Sequence, residues 1–271
     1  MSETNGRLRD RVALVTGATQ GLGADIARAL IDAGAHVFLV GRSVDAGEAV
    51  ARALGERACF VRADITDDAD IDRCVERACR VSGHIDVVVN NACSYDDAGL
   101  ASTREQWRRT LDVNLVSAAM VTQKASVFMR RGAVVINLGS TGGKFGAGGR
   151  AVYPASKAAL IQITRNFAVA LAPQGVRVLS VSPAWTWSPA VERMSAGSTE
   201  RADRVGAHFH PLGRVGRGDE VGKVVVFAAS EDASWMTGVD LAVDGGFSIL
   251  GPDQGISPGE WFARLGGDAG G

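Results

Sequence analysis

Arg11-Val12-Ala13-Leu14-Val15-Thr16-Gly17-Ala18-Thr19-Gln20-Gly21-Leu22-Gly23 is a short apolar strand that runs into a glycine-spaced turn. Ile26, Ala27, Leu30 and Ala33 then recur at helical spacing, and Gly34 closes the run. Strand, glycine turn and helix start together form an entry for a phosphate-bearing ligand. Glycines let the backbone approach a pyrophosphate, and the free N–H groups and dipole of the helix start hold its charge. The spacing is G-x-x-x-G-x-G rather than the commoner G-x-G-x-x-G, so the flanking strand and helix carry the reading.

The same alternation continues outward. Apolar strands are expected over residues 35–40, 57–63, 85–89, 134–138, 176–181 and 239–243. Helices are expected over 44–54, 67–82, 103–129, 151–171 and 219–229, the third of these carrying Asn114 near its middle. Repeated strand–helix units with buried apolar strands predict an α/β fold: one Rossmann-like, doubly wound parallel sheet of about seven strands with helices on both faces. The expected organisation is a tail over 1–10, one catalytic domain over 11–250 with a substrate lid near 185–212, and an extension over 251–271.

Composition narrows the function. The formal net charge is −1, and no basic block or acidic tail occurs, which argues against nucleic acid or an anionic membrane surface as partner. No apolar run approaches the ~18 residues of a membrane span, and the first eleven residues have no signal-peptide core. The four cysteines have no C-x-x-C spacing, so free thiols in a reducing, cytoplasmic compartment are expected. His208 and His210 lack a third ligand at a sensible spacing, so no metal is expected.

In open parallel sheets ligands bind beyond the carboxyl ends of the strands. The polar and glycine motifs all fall there: Gly17 to Gly23, Gly41-Arg42, Asp64, Asn90-Asn91-Ala92, Ser140 and Pro183. After Ser140 comes a Gly-rich run, then Tyr153-x-x-x-Lys157 at the start of a helix. Residues four apart share a helix face, so the phenol and the ammonium project together. A free phenol titrates near pH ~10, and a nearby cation lowers that by roughly 1–3 units, toward acid–base work near neutrality. Taken alone, a Lys four after a Tyr arises by accident about one time in sixteen and equally fits a solvated helix face. The motifs around the pair favour chemistry.

These motifs, from Thr16-Gly17-x-x-x-Gly21-x-Gly23 through Asp64, Asn90-Asn91-Ala92, Asn114, Ser140, Tyr153-x-x-x-Lys157 and Pro183, resemble the short-chain dehydrogenase/reductase family from about Arg11 to Gly246. The order, and the thirteen residues from Ser140 to Tyr153, match as well. The resemblance implies an oxidoreductase that moves a hydride between a nicotinamide cofactor and a secondary alcohol or ketone. By it, Tyr153 is the acid/base and Lys157 lowers its pKa and holds the nicotinamide ribose. Ser140 holds the substrate oxygen, and Asn114 positions a water. Cofactor contacts are implied for Gly17, Thr19, Gln20, Gly21, Leu22, Gly23, Arg42, Asp64, Ile65, Asn91, Ala92, Tyr153, Lys157, Pro183 and Thr186. The second strand ends in Gly41 instead of an acid and is followed by Arg42, which favours NADP(H) over NAD(H). A homotetramer, or at least a homodimer, is implied through the Asn114 and Tyr153 helices. Two rival readings share part of the pattern: a 3-oxoacyl (acyl-carrier-protein) thioester reductase, and a non-catalytic nucleotide-sensing binding protein. The family usually carries Gly where this chain has Cys93 and Ala184. Trp185, Trp187 and Phe209 either face substrate or pack the lid, and Trp261 and Phe262 are candidates to dock on a neighbouring subunit.

Overall fold

The computed structural model describes residues 6–265; the Gly-rich end of the expected extension lies outside the described residues, as do the first five residues. Seven strands form one sheet in the order β3-β2-β1-β4-β5-β6-β7, with every pairing parallel. They are β1 (Val12–Thr16), β2 (His36–Gly41), β3 (Ala58–Arg62), β4 (Ile85–Asn90), β5 (Met129–Leu138), β6 (Arg177–Pro183) and β7 (Asp240–Val243). The helices are α1 (Gly21–Asp32), α2 (Val44–Leu54), α3 (Asp68–Ser82), α4 (Arg104–Leu111), α5 (Ser117–Ser126), α6 (Val152–Leu171), α7 (Pro189–Met194), α8 (Thr199–Gly206), α9 (Gly218–Ala229) and α10 (Pro258–Leu265).

Period-two alternation divides each strand between two cores. Ala13 and Val15 of β1 face Ile26 and Leu30 of α1 and Val221 and Val225 of α9. Val12 and Leu14 face the other way, into a core with Ile71 and Val75 of α3, Val121 and Ala125 of α5 and Ala168 of α6. This is the doubly wound sheet expected from the alternation. Chain order reverses between β1 and β4, which opens a crevice at their carboxyl ends. Leu8 is buried, and its N–H bonds to Ala33 O at 2.9 Å, so the packed body begins inside the expected tail.

One expected element is corrected. The single helix over 103–129 is α4, a π-helical stretch Asp112–Val116, then α5, and Met129 already belongs to β5. Asn114 lies in the π stretch, where its side chain is bonded to the backbone of a neighbouring loop (below). One extra residue per turn turns it toward that loop. Apolar spacing stays nearly helical across such a bulge, so the break leaves little trace in the pattern.

Candidate active site at the carboxyl ends of the strands

The glycine turn is closed by its own packing. Gly17 has φ +65°, and a Cβ there would stand 2.7 Å from Ala92 Cα. A Cβ on Gly23 would collide with Gly17 O and the Asn91 side chain. Asn91 Nδ2 donates to Thr16 O (2.9 Å) and Gly17 O (3.1 Å), while the Asn91 and Ala92 N–H groups both donate to Thr16 Oγ1. Asn91 thus braces the turn against β4. Gln20 precedes α1 with no side-chain cap bond, so the first N–H groups of that helix are left open to the crevice. A cradle that admits no side chain, beneath free helix N–H groups, fits a dinucleotide pyrophosphate.

The crevice is lined by Gly17, Thr19 to Gly23, Gly41, Arg42, Asp64, Ile65, Asn91 and Ala92, which brings most of the expected cofactor residues together. Gly41 is constrained, because a Cβ there would lie 2.5 Å from Thr19 Cγ2. Asp64 Oδ1 accepts from Thr66 N and Oγ1, and its Oδ2 lies 3.9 Å from Arg42 Nη1. Burial opposes ionisation of Asp64, but the Thr66 bonds and Arg42 win and hold its carboxyl below the usual range. Pro183 ends β6. Thr186 is buried nearby, with Oγ1 donating to Ala184 O at 3.2 Å. Neither Cys93 nor Ala184 has a positive φ, so both departures from glycine are accommodated by ordinary backbone.

The four expected catalytic side chains belong to three segments. Tyr153 and Lys157 sit in the first turns of α6, both buried. Ser140 follows β5 and accepts from Gly142 N at 3.0 Å; its hydroxyl favours ionisation of the Tyr153 phenol. Asn114 accepts from Ser94 N (2.6 Å) and donates to Ser94 O (3.0 Å) and Ser156 Oγ (3.0 Å). It therefore ties the loop after β4 to α6.

Lys157 is not among the strongest influences on the Tyr153 phenol. The Tyr153 phenol is pushed up to about 12, first by burial and then by the Cys93 thiol beside it. Ser140, Tyr95 and Arg150 pull it back, less strongly. Lys157 Nζ is instead bonded to Leu138 O at 2.6 Å and lies 5.8 Å from the centre of the phenol ring. Burial also pushes the Cys93 thiol up, against the pull of Lys157 and Asn114, which keeps it neutral.

Two residues absent from the sequence reading complete the site. Tyr95 stacks on Tyr153, with ring centres 4.9 Å apart and planes 20° apart. Asp97 reaches from the same loop to the start of α6, where its carboxylate accepts from Ala151 N (2.9 Å) and Tyr153 N (2.9 Å), and from Gly99 N (2.9 Å). Ala151 has no capping side chain, so Asp97 supplies the cap from a distance. Burial works against the charge, but the bonds from Gly99, Tyr153 and Ala151 hold the carboxyl at about 2.

A family model described as enoyl-(acyl carrier protein) reductase matches residues 17–248. The chain is a member of the short-chain dehydrogenase/reductase family. It is 35% identical to a cis-4-hydroxycyclohexanecarboxylate dehydrogenase of Sinomonas cyclohexanicum, over 89% of this chain and 98% of that protein. It is 34% identical to an L-fucose dehydrogenase of Oryctolagus cuniculus, over 96% of this chain and 91% of that one. A crystal structure from Brucella melitensis, described as a short-chain dehydrogenase/reductase of the glucose/ribitol dehydrogenase type, superposes with a TM-score of 0.83 at 29% identity, covering 90% of this chain and 98% of that one. As a short-chain dehydrogenase/reductase, the protein is an oxidoreductase working with a nicotinamide cofactor.

Proposed function

We propose that this dehydrogenase/reductase interconverts a secondary alcohol and its ketone, with Tyr153 as the acid/base. The observation that carries the reading is the buried Tyr153 phenol, with Ser140 favouring its ionisation, at the carboxyl ends of the strands beside the glycine cradle. The relatives named for hydroxycyclohexanecarboxylate, fucose and sorbitol point the same way, toward hydroxyl groups on polar cyclic or open-chain carbon skeletons. The bound nicotinamide would supply or accept the hydride. Tyr153 would exchange the hydroxyl proton, and Ser140 would hold the substrate oxygen against the phenol. Oxygen left negative by hydride addition needs such a donor already in place. Lys157 and Asn114 would fix the base of the site from within α6 and the π stretch.

For the cofactor we favour NADP(H). No acid stands at the end of β2, where Gly41 packs closely against the Thr19 side chain. The Arg42 side chain is 79% exposed and only loosely associated with Asp64, which leaves its guanidinium free for a 2′-phosphate. A panel of secondary alcohols, ketones and a 3-oxoacyl thioester, followed at the nicotinamide absorbance with both cofactors, tests this reading. Turnover of alcohols or ketones is expected. Turnover of the thioester alone would favour the acyl-thioester alternative, and no turnover at all would end the proposal.

A further inference from the structure

Tyr153 has a second phenol against it. The Tyr95 ring lies nearly parallel to the Tyr153 ring at 4.9 Å between centres, closer than any other aromatic pair among the described residues. This is not a chance meeting of two mobile side chains. The loop that carries Tyr95 is pinned on both sides of it. Ser94 exchanges two bonds with Asn114, and Asp97 accepts from the backbone of Ala151 and of Tyr153 itself. Loop and helix start are therefore tied to each other on both sides of the stack. With the rings nearly parallel, Tyr95 is one of the groups that pull the Tyr153 phenol back down.

We propose that Tyr95 is a positioning residue for the acid/base, donating a hydrogen bond from its hydroxyl to the ionised Tyr153 oxygen and fixing the Tyr153 ring by stacking. The proposal rests on the reading of Tyr153 as acid/base. The direction of the bond follows from the surroundings. Tyr153 also has the Ser140 hydroxyl and the Arg150 guanidinium, whose carbon lies 5.7 Å from its ring centre, to favour its anion. Two adjacent phenols do not both ionise, so the one with the better partners loses its proton and the other stays a donor. Tyr95 is 62% exposed, so it bears on Tyr153 from the open side of the site, where substrate arrives.

The chain's two tyrosines make the test direct. Ring-labelled tyrosine gives two resonances, and Tyr153→Phe assigns them. In Tyr95→Phe, which keeps the ring and loses the hydroxyl, the Tyr153 resonance should begin its alkaline titration about one pH unit higher than in the parent, the size expected for one hydrogen bond to a charged group. The rising limb of kcat for alcohol oxidation should move up by the same amount. Tyr95→Ala should add a further loss in kcat by freeing the ring. Coincident titration curves for parent and Tyr95→Phe would overturn the proposal, as would a change confined to KM. If the resonance moves as expected while the parent turns over no alcohol or ketone, the pairing stands and the acid/base reading of Tyr153 falls.

Discussion

With its phenol pushed up to about 12, Tyr153 is protonated at neutral pH and set to give a proton to a ketone oxygen. Taking a proton from an alcohol needs the phenolate, so oxidation should accelerate as pH rises while reduction does not. Tyr153→Phe keeps the ring and its stack but removes the proton. A loss of about 10²–10⁴-fold in kcat is expected in both directions, the usual contribution of a positioned acid/base, with cofactor affinity little changed. Single-turnover and equilibrium-binding measurements check the two halves; activity within tenfold of the parent would remove Tyr153 from the chemistry. Arg42→Ala should weaken NADP(H) by about 1.5–3 kcal/mol, the range for a hydrogen bond to a charged group, and NAD(H) far less. Comparing kcat/KM with both cofactors decides that, and equal loss of both would refute the 2′-phosphate role. Gly17, Gly23, Tyr153 and Lys157 were legible because each lies at a fixed local spacing. The setting of Lys157 was not: periodicity puts it on the Tyr153 face but does not tell that Leu138 O captures the ammonium. Tyr95 and Asp97 were hidden for a related reason, since their partners are more than fifty residues away.

Helix α6 begins without a cap of its own, and Asp97 satisfies its first N–H groups from the loop after β4. Its carboxyl is depressed to about 2, so its contribution to stability is complete above the unfolded value near 4. That contribution is lost as pH falls from about 4 through 2, the window in which the folded carboxylate takes up its proton. Asp97→Asn should lower stability at neutral pH by about 1–2 kcal/mol, the scale of a lost cap, and flatten the acid limb of the stability curve between those values. Urea melts of both proteins across that range measure it; parallel acid limbs would show that Asp97 does not anchor the helix. Most of the fold could be read at this scale from apolar runs of five to seven residues and helical periods between them. The break at Asp112–Val116 could not, because what sets Asn114 there is the bonding of its side chain to Ser94 and Ser156 in other segments.

At the scale of the molecule, one exposed face among the described residues runs along α6. On α6 the outward positions are Ala155, Ala158, Gln162, Arg165, Asn166, Val169 and Ala170, small or apolar at both ends and polar between, with Val169 77% exposed. Beside it the π stretch and the end of α5 present Val116 and Val127, the latter 74% exposed. Small residues at the start of α6 allow a second helix to approach closely, and the valines supply apolar area. We propose that this face pairs with its copy about a two-fold axis and that the assembly is a homotetramer, or at least a homodimer. An isologous pairing brings each valine against the same face of the partner, so a charge placed there is met twice. Val169→Glu combined with Val127→Glu should therefore reduce the mass seen by light scattering at micromolar concentration to that of a smaller unit. Both positions are exposed in the single chain, so the folding of one subunit should change by no more than about 0.5 kcal/mol per site. A parent that already scatters as a monomer would overturn the assembly, and a variant of unchanged mass would move the interface to another face.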